Sequence, residues 1–151
     1  MLLLCLFYFH LLDHLKVTLT KVEEKNSIQV KASKNAEEFS TLEKNNYHYI
    51  CCSFDFEHDN STGEGYSLFE KENFKLKDHF GTSLSLSHAF TTTNSVEDYS
   101  WIGTTISTSE KKPVTIAFEV LTKYSPESMD LYVEIDLSNK PGNGVDILLK
   151  E

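Results

Sequence analysis

Alternation of apolar and polar residues runs through most of this chain, and it constrains the fold more than any other feature. Successive side chains of a strand point to opposite faces, so alternation over several residues predicts a half-buried strand. It is clearest in YICCSFDF at 49–56, VTIAFEV at 114–120 and LYVEIDL at 131–137. In each stretch every second residue is apolar, which predicts a strand with one face on a core.

Segments of this kind recur about eight or nine times, with turn signals about every 8 to 15 residues. No convincing crossover helix separates any pair of them, which disfavours a parallel sheet. We therefore expect a mainly β fold: an antiparallel two-sheet sandwich, resembling a jelly roll, in a single domain over residues 16–151.

Two segments depart from simple alternation. One short helix is predicted near 35–45, because Asn35 and Glu38 have the spacing of a capping box. Residues 66–81 fit either a helix that ends at Gly81, with Phe80 on its apolar side, or separate strand pieces, since NFKLK alternates. We favour the strand interpretation for this segment.

Residues 1–15 form an apolar N-terminal segment that opens with MLLLCLFYF. This run is too short to span a bilayer, which needs about 20 apolar residues. It suits either the apolar region of a signal peptide or an element of the core. Secretion and a cytoplasmic location both stay open, and the NST sequon at Asn60 matters only if the chain is secreted.

The charge composition excludes several kinds of partner. The net charge is −9, and all 14 basic residues are lysine. Without arginine the chain has no guanidinium that could bind phosphate or carboxylate through two parallel hydrogen bonds. An acidic chain of this kind is also unsuited to nucleic acid, where cationic contacts supply most of the affinity. We expect a neutral or basic partner surface, no nucleic acid and no cofactor; the oligomeric state stays open.

The cysteines do not suggest a disulfide framework. Cys51 and Cys52 are neighbours, and on a strand they point to opposite faces. We therefore expect one buried thiol and one nearer to solvent. A catalytic thiol paired with a histidine is disfavoured, since no local signature of such enzymes flanks either cysteine.

The stretch HLLDH at 10–14 offers one route to an enzyme. It resembles the H-x-x-E-H pattern of inverzincin metallopeptidases. The resemblance implies His10 and His14 as zinc ligands and Asp13 as general base, with Asp in place of the usual Glu. It requires a helix, because on a strand residues 10 and 14 lie about 13 Å apart. A metal-dependent hydrolase is accordingly an alternative, and no metal site is our preferred expectation.

Calcium is a second candidate metal, suggested by the acidic stretch DFEHDNSTGEGY. An EF-hand starting at Asp55 would need Gly at position 60 and Glu at position 66, and the chain has Asn and Tyr there. A looser site built from Asp55, Asp59 and Glu64 stays open.

Aromatic residues at loop-to-strand boundaries are the best candidate ligand site. Tyr99 and Trp101 share one face of a predicted strand and follow a polar loop that contains Asp98; Tyr66 leaves another loop. Aromatic platforms with carboxylates at their rim suit sugar rings or a protein partner. We predict a non-enzymatic binding domain for a protein or carbohydrate ligand. The alternatives are an acidic inhibitor that covers a basic protein surface and the hydrolase above.

Overall fold

The structure is a computed structural model that describes residues 9–12, 15–31, 39–42, 45–58, 66–67, 73–84, 87–91, 99–100, 105–106, 111–136 and 145–149. Strands dominate these residues. Their bounds are β1 Phe9–Leu12, β2 Leu15–Lys25, β3 Ile28–Lys31, β4 Phe39–Leu42, β5 Tyr47–His58, β6 Tyr66–Ser67, β7 Phe74–Asp78, β8 Ser87–Thr91, β9 Tyr99–Ser100, β10 Thr105–Ile106, β11 Lys111–Leu121, β12 Leu131–Ile135 and β13 Val145–Leu148.

The strands form a large sheet, a small sheet and a two-stranded ribbon. The large sheet has the order β1-β2-β5-β11-β8-β9-β3-β4, and the small sheet has the order β13-β12-β7. β6 and β10 make the ribbon. Pairing is antiparallel throughout the described strands except between β3 and β9. The mainly antiparallel, two-sheet prediction is thus confirmed.

The core lies between the large and small sheets, and the alternating residues supply it as predicted. Each fully buried aliphatic or aromatic side chain contributes roughly 1.5–3 kcal/mol. The residues that build this core are Val17, Leu19, Ile50, Cys52, Phe54, Phe56, Phe74, Leu76, Val114, Ile116, Phe118, Val120, Leu131, Val133, Ile135, Ile147 and Leu149.

A bulge in β2 keeps that strand's apolar residues inward. The register against β5 shifts between Leu19 and Lys21. Val17 and Leu19 face the core before the bulge, and Val22 packs against it afterwards. The extra residue, Thr20, donates its hydroxyl to the Ser53 carbonyl at 3.1 Å. The bulge therefore corrects the alternation, which would otherwise turn Val22 outward.

The large sheet is strongly curled. Only Asn26 and Ser27 join β2 to β3, yet four strands separate β2 from β3 in the sheet. In a flat sheet, with strands about 4.8 Å apart, the two would be about 24 Å apart. The three Cα steps from Lys25 to Ile28 reach about 11 Å at most. The two sides of the sheet must therefore approach each other where β2 passes into β3.

The curl explains why one expectation about the cysteines is wrong. Neither Cys51 nor Cys52 is in a disulfide, and both are buried, although they point to opposite faces of β5. Cys52 lies in the core, and Cys51 lies on the second face beside Tyr49. Because the sheet closes toward β3 at this end, the second face is covered there as well. In this part of β5 alternate residues therefore face two different buried regions, and neither face is open to solvent.

The predicted helix near 35–45 is also wrong within the described residues. Phe39–Leu42 is strand β4, which pairs with β3 from Leu42 opposite Ile28 to Phe39 opposite Lys31. The pairing with β3 satisfies the backbone of a four-residue segment, and this outweighs the helical spacing of Phe39 and Leu42. The capping residues Asn35 and Glu38 lie outside the described residues.

The remaining fold predictions have mixed outcomes. The strand interpretation of NFKLK is confirmed for its last four residues, since β7 covers Phe74–Asp78 and begins after Asn73. In the N-terminal segment, Phe9–Leu12 forms β1 and pairs with β2; whether residues 1–15 are a signal peptide or a core element stays a prediction. Within the described ranges, no helix is long and apolar enough to cross a membrane.

Candidate functional site

The strand register brings four connections to one end of the sandwich, here called the loop end. In the large sheet the end of β2 (Lys25) and the end of β11 (Leu121) both lie beside the start of β5. The connections next to these three strand ends are therefore at the loop end: the 26–27 turn, the 45–46 turn and the 122–130 loop. In the small sheet Leu131, which follows that loop, lies opposite Asp78. The 79–81 turn after β7 is therefore at the same end. Loops grouped at one end of a sandwich are where such domains commonly bind ligands.

Residues 79–81 form a hairpin tip whose backbone is fixed by hydrogen bonds. The chain returns beside β7, with a bridge between Lys77 and Ser83. The Gly81 N–H donates to the Asp78 carbonyl at 3.0 Å, and the Asp78 N–H donates to the Thr82 carbonyl at 3.1 Å. Gly81 has φ +83°, the left-handed conformation that ends a three-residue hairpin loop.

The Asp78 carboxylate adds two more bonds to the tip. Its Oδ1 accepts from the Phe80 N–H at 2.9 Å and from the Thr82 N–H at 3.0 Å. Asp is favoured at the first position of such a turn because it satisfies these donors. Four bonds therefore hold a three-residue loop, which leaves its backbone little freedom.

Phe80 is displayed at this tip. Its side chain is 81% exposed, and it is the one large apolar side chain that is exposed among those the structure describes. The His79 ring lies against it, with centroids 3.8 Å apart and planes at 39°. The tip therefore presents one large apolar ring to solvent on a backbone that hydrogen bonds hold in place.

The neighbouring 122–130 loop is tied to β5. The Thr122 N–H donates to the Asn46 carbonyl at 2.9 Å, and Asn46 itself has φ 66°. His48 Nε2 lies 2.7 Å from the Tyr124 carbonyl, so the ring donates there. Lys123 places its Nζ 5.0 Å from the centre of the Tyr124 ring. These contacts hold the start of the loop, which leads from β11 of the large sheet to β12 of the small sheet, against the 45–46 turn and β5.

A buried polar pair lies on the second face of the large sheet. Tyr49 and Glu119 are opposite each other on β5 and β11, and they are 1% and 3% exposed. The Tyr49 hydroxyl donates to Glu119 Oε2 at 3.2 Å. Burial, together with the adjacent carboxylate, raises the pKa of Tyr49 to about 12. The neutral Tyr49 hydroxyl therefore donates a hydrogen bond to a buried carboxylate, which is a structural role.

The thiols do not form a catalytic site. Burial raises the pKa of Cys52 well above its usual value. A nucleophilic cysteine needs the opposite shift together with access to solvent. Cys51 is 1% exposed, so neither thiol is open to a substrate.

The predicted aromatic site is only partly visible. Tyr99 lies in β9 of the large sheet, opposite Val30. Tyr66 lies in the separate ribbon, opposite Ile106. The two are therefore not neighbours within one sheet. Asp98 and Trp101 lie outside the described residues, and the four-residue site stays a prediction.

The metal predictions lack support in the described parts of the chain. His10 lies in strand β1, opposite Val17, and a strand does not provide the helical spacing of the zinc pattern. Asp13 and His14 lie outside the described residues. Asp55 lies within β5 and pairs with Lys111 at 3.6 Å, whereas Asp59 and Glu64 also lie outside the described residues. No group of three or more ligating side chains occurs among the residues described.

Phe80 is not among the site residues predicted from the sequence, where it counts only toward the apolar side of the helical alternative for residues 66–81. The signal was present as DHFG, with Asp at the first and Gly at the fourth position of a turn. Alternating residues flank it on both sides, in FKLK and SLSLS. Together these mark a three-residue hairpin loop with Phe at its tip.

Comparisons with known proteins support the fold. The chain matches no protein-family model and no curated protein sequence. It is similar in structure to an uncharacterized β-sandwich protein from Clostridium difficile 630, with a TM-score of 0.58 and 12% sequence identity. The similarity covers 95% of this chain and 90% of the other. The likeness is one of fold alone.

Proposed function

We propose that this protein is a non-enzymatic binding domain that holds a protein or carbohydrate ligand at its loop end. The observation that carries the proposal is Phe80, an exposed ring on a loop that four hydrogen bonds hold. Rigid aromatic side chains bind well because little conformational entropy is lost when they become buried in a complex. The ordered 122–130 loop beside the tip supplies further contact area.

The rest of the described structure supports a scaffold role. The residues between the sheets form an apolar core, and the buried Tyr49 hydroxyl donates to the buried Glu119. The strand-edge aromatics Tyr66, Tyr99 and Trp101, with Asp98, remain the second proposed contact set. They form a separate proposed set, since Tyr66 lies in the ribbon and Tyr99 lies in β9.

The experiment compares the folded protein with three variants on two panels of probes: a glycan array and a phage-displayed library of disulfide-constrained peptides. Phe80→Ser and Trp101→Ala each remove one proposed contact. Lys111→Ser is the matched control, because Lys111 is exposed at the opposite end of β11.

The proposal expects specific binding by the unaltered chain on at least one panel. That binding should fall in Phe80→Ser, Trp101→Ala or both, and persist in Lys111→Ser. Absence of binding on both panels, or binding that neither aromatic substitution changes, would contradict the proposal.

A further inference from the structure

The shape and charge of the hairpin tip restrict its partner further than the proposed function does. This step rests on the proposed binding role and names the class of partner. A ring on a protruding tip is convex, so it needs a concave acceptor. Sugar sites instead surround the ring of the sugar with hydrogen-bonding groups, which one ring on a convex tip does not do.

The charges around the tip are mainly acidic. Asp78 stands at the base of the tip, and the neighbouring 122–130 loop carries Glu127 and Asp130 against one lysine, Lys123. Farther along the small sheet, Lys77 pairs with Glu134 at 2.9 Å and with Asp146 at 2.8 Å, so these charges largely offset one another. Asp78 and Asp130 flank the tip, because Asp78 lies opposite the residue that follows Asp130. The surface next to Phe80 therefore has a negative rim.

This rim disfavours two other occupants. A second copy of the chain would bring the same acidic surface against itself, and like charges across an interface are repulsive. An anionic membrane surface would repel the tip for the same reason, and the whole chain has a net charge of −9.

From these observations we infer that Phe80 is an anchor that inserts into an apolar pocket of another protein, and that basic residues surround that pocket. The ring supplies the apolar contact, and the rim supplies steering toward the partner. The rigid turn means that the ring is presented in its bound geometry before the encounter.

The test uses the full chain with Phe80 replaced by the photoreactive residue p-benzoylphenylalanine, produced in the cells that naturally make the protein. Lys111, replaced in the same way, provides the control at the opposite end. Irradiation links the residue to whatever lies against it, and mass spectrometry identifies the adduct and the linked peptide.

The expected result is one main protein adduct at position 80, absent at position 111. Its linked peptide should lie at an apolar site with Lys or Arg nearby. The yield should fall several-fold between about 50 and about 500 mM sodium chloride, because salt screens the charged rim.

Other outcomes separate this inference from the proposed function. Adducts with a glycan or a second copy, or salt-independent yield, would overturn the basic-rimmed protein partner and leave a binding role in place. Equal protein adducts at positions 80 and 111 would overturn the anchor. Failure of both this test and the two probe panels would overturn the anchor and the binding role together.

Discussion

Removal of the Tyr49 hydroxyl should lower the free energy of unfolding at neutral pH. The size of this loss should decrease as the solution becomes alkaline. Tyr49→Phe keeps the buried ring but removes the donor to Glu119 Oε2. A hydrogen bond to a charged group contributes about 1.5–3 kcal/mol. We expect the free energy of unfolding at pH 8 to fall by about that amount.

The alkaline dependence follows from the raised pKa of Tyr49. The pKa is 10.0 for an ordinary tyrosine and about 12 in the folded protein, with burial as the main cause. Between these two pH values Tyr49 therefore keeps its proton in the folded protein and loses it in the unfolded chain. The contribution of the Tyr49 proton to the free energy of unfolding is fully present below pH 10 and is lost as the pH rises through 12.

The expected loss at pH 11 is about 1.4 kcal/mol, since the unfolded chain is then mostly ionised at this residue and the folded protein mostly is not. Tyr49→Phe has no proton to lose there. The stability difference between the unaltered protein and Tyr49→Phe should therefore shrink by about 1.4 kcal/mol from pH 8 to pH 11.

Urea unfolding followed by circular dichroism at pH 8, 9, 10 and 11 measures this difference. Other groups titrate in both proteins alike and cancel in the comparison. Tyr132→Phe is the control, because Tyr132 is half-buried in the small sheet. A stability difference for Tyr49→Phe that stays constant across the four pH values would refute the reasoning.

Three further outcomes are expected. Phe54→Ala should lower the free energy of unfolding by about 3–5 kcal/mol in urea, whereas Phe80→Ala should change it by less than about 0.5 kcal/mol, because Phe54 is in the core and Phe80 is exposed; similar losses would contradict the fold. Gly81→Ala should cost about 1–2 kcal/mol from its φ of +83° alone, since an added Cβ meets no atom within 4 Å; unchanged stability would show a different turn. In a Cys5→Ser background, a thiol reagent should label neither remaining cysteine in the native protein and both in urea; rapid native labelling would show that Cys51 or Cys52 is accessible.

Local alternation was enough to predict much of this fold. In β11 and β12 the residues expected on one face, such as Ile116 and Val133, are those that pack between the sheets. The signal was reliable because apolar residues alternate regularly in the sequence of each of these strands. It carried no information on which distant strands pair, such as β3 with β9.

The errors have a common physical origin in long-range contact. Cys51 is buried because the large sheet curls, and nothing adjacent to it in sequence specifies that curl. Phe39 and Leu42 have helical spacing, but pairing with β3 decides their conformation. The helical alternative for residues 66–81 puts Phe80 on an apolar side, and only the turn chemistry of Asp78 and Gly81 marks it as a loop residue.

The most direct test of the account is the dissociation constant between this protein and the protein that cross-links at position 80. It should be measured with purified components for the unaltered chain, Phe80→Ser and Lys111→Ser. If Phe80 is the anchor, Phe80→Ser should weaken binding by at least about 30-fold and Lys111→Ser by less than about threefold. Equal dissociation constants for all three proteins would contradict the central claim.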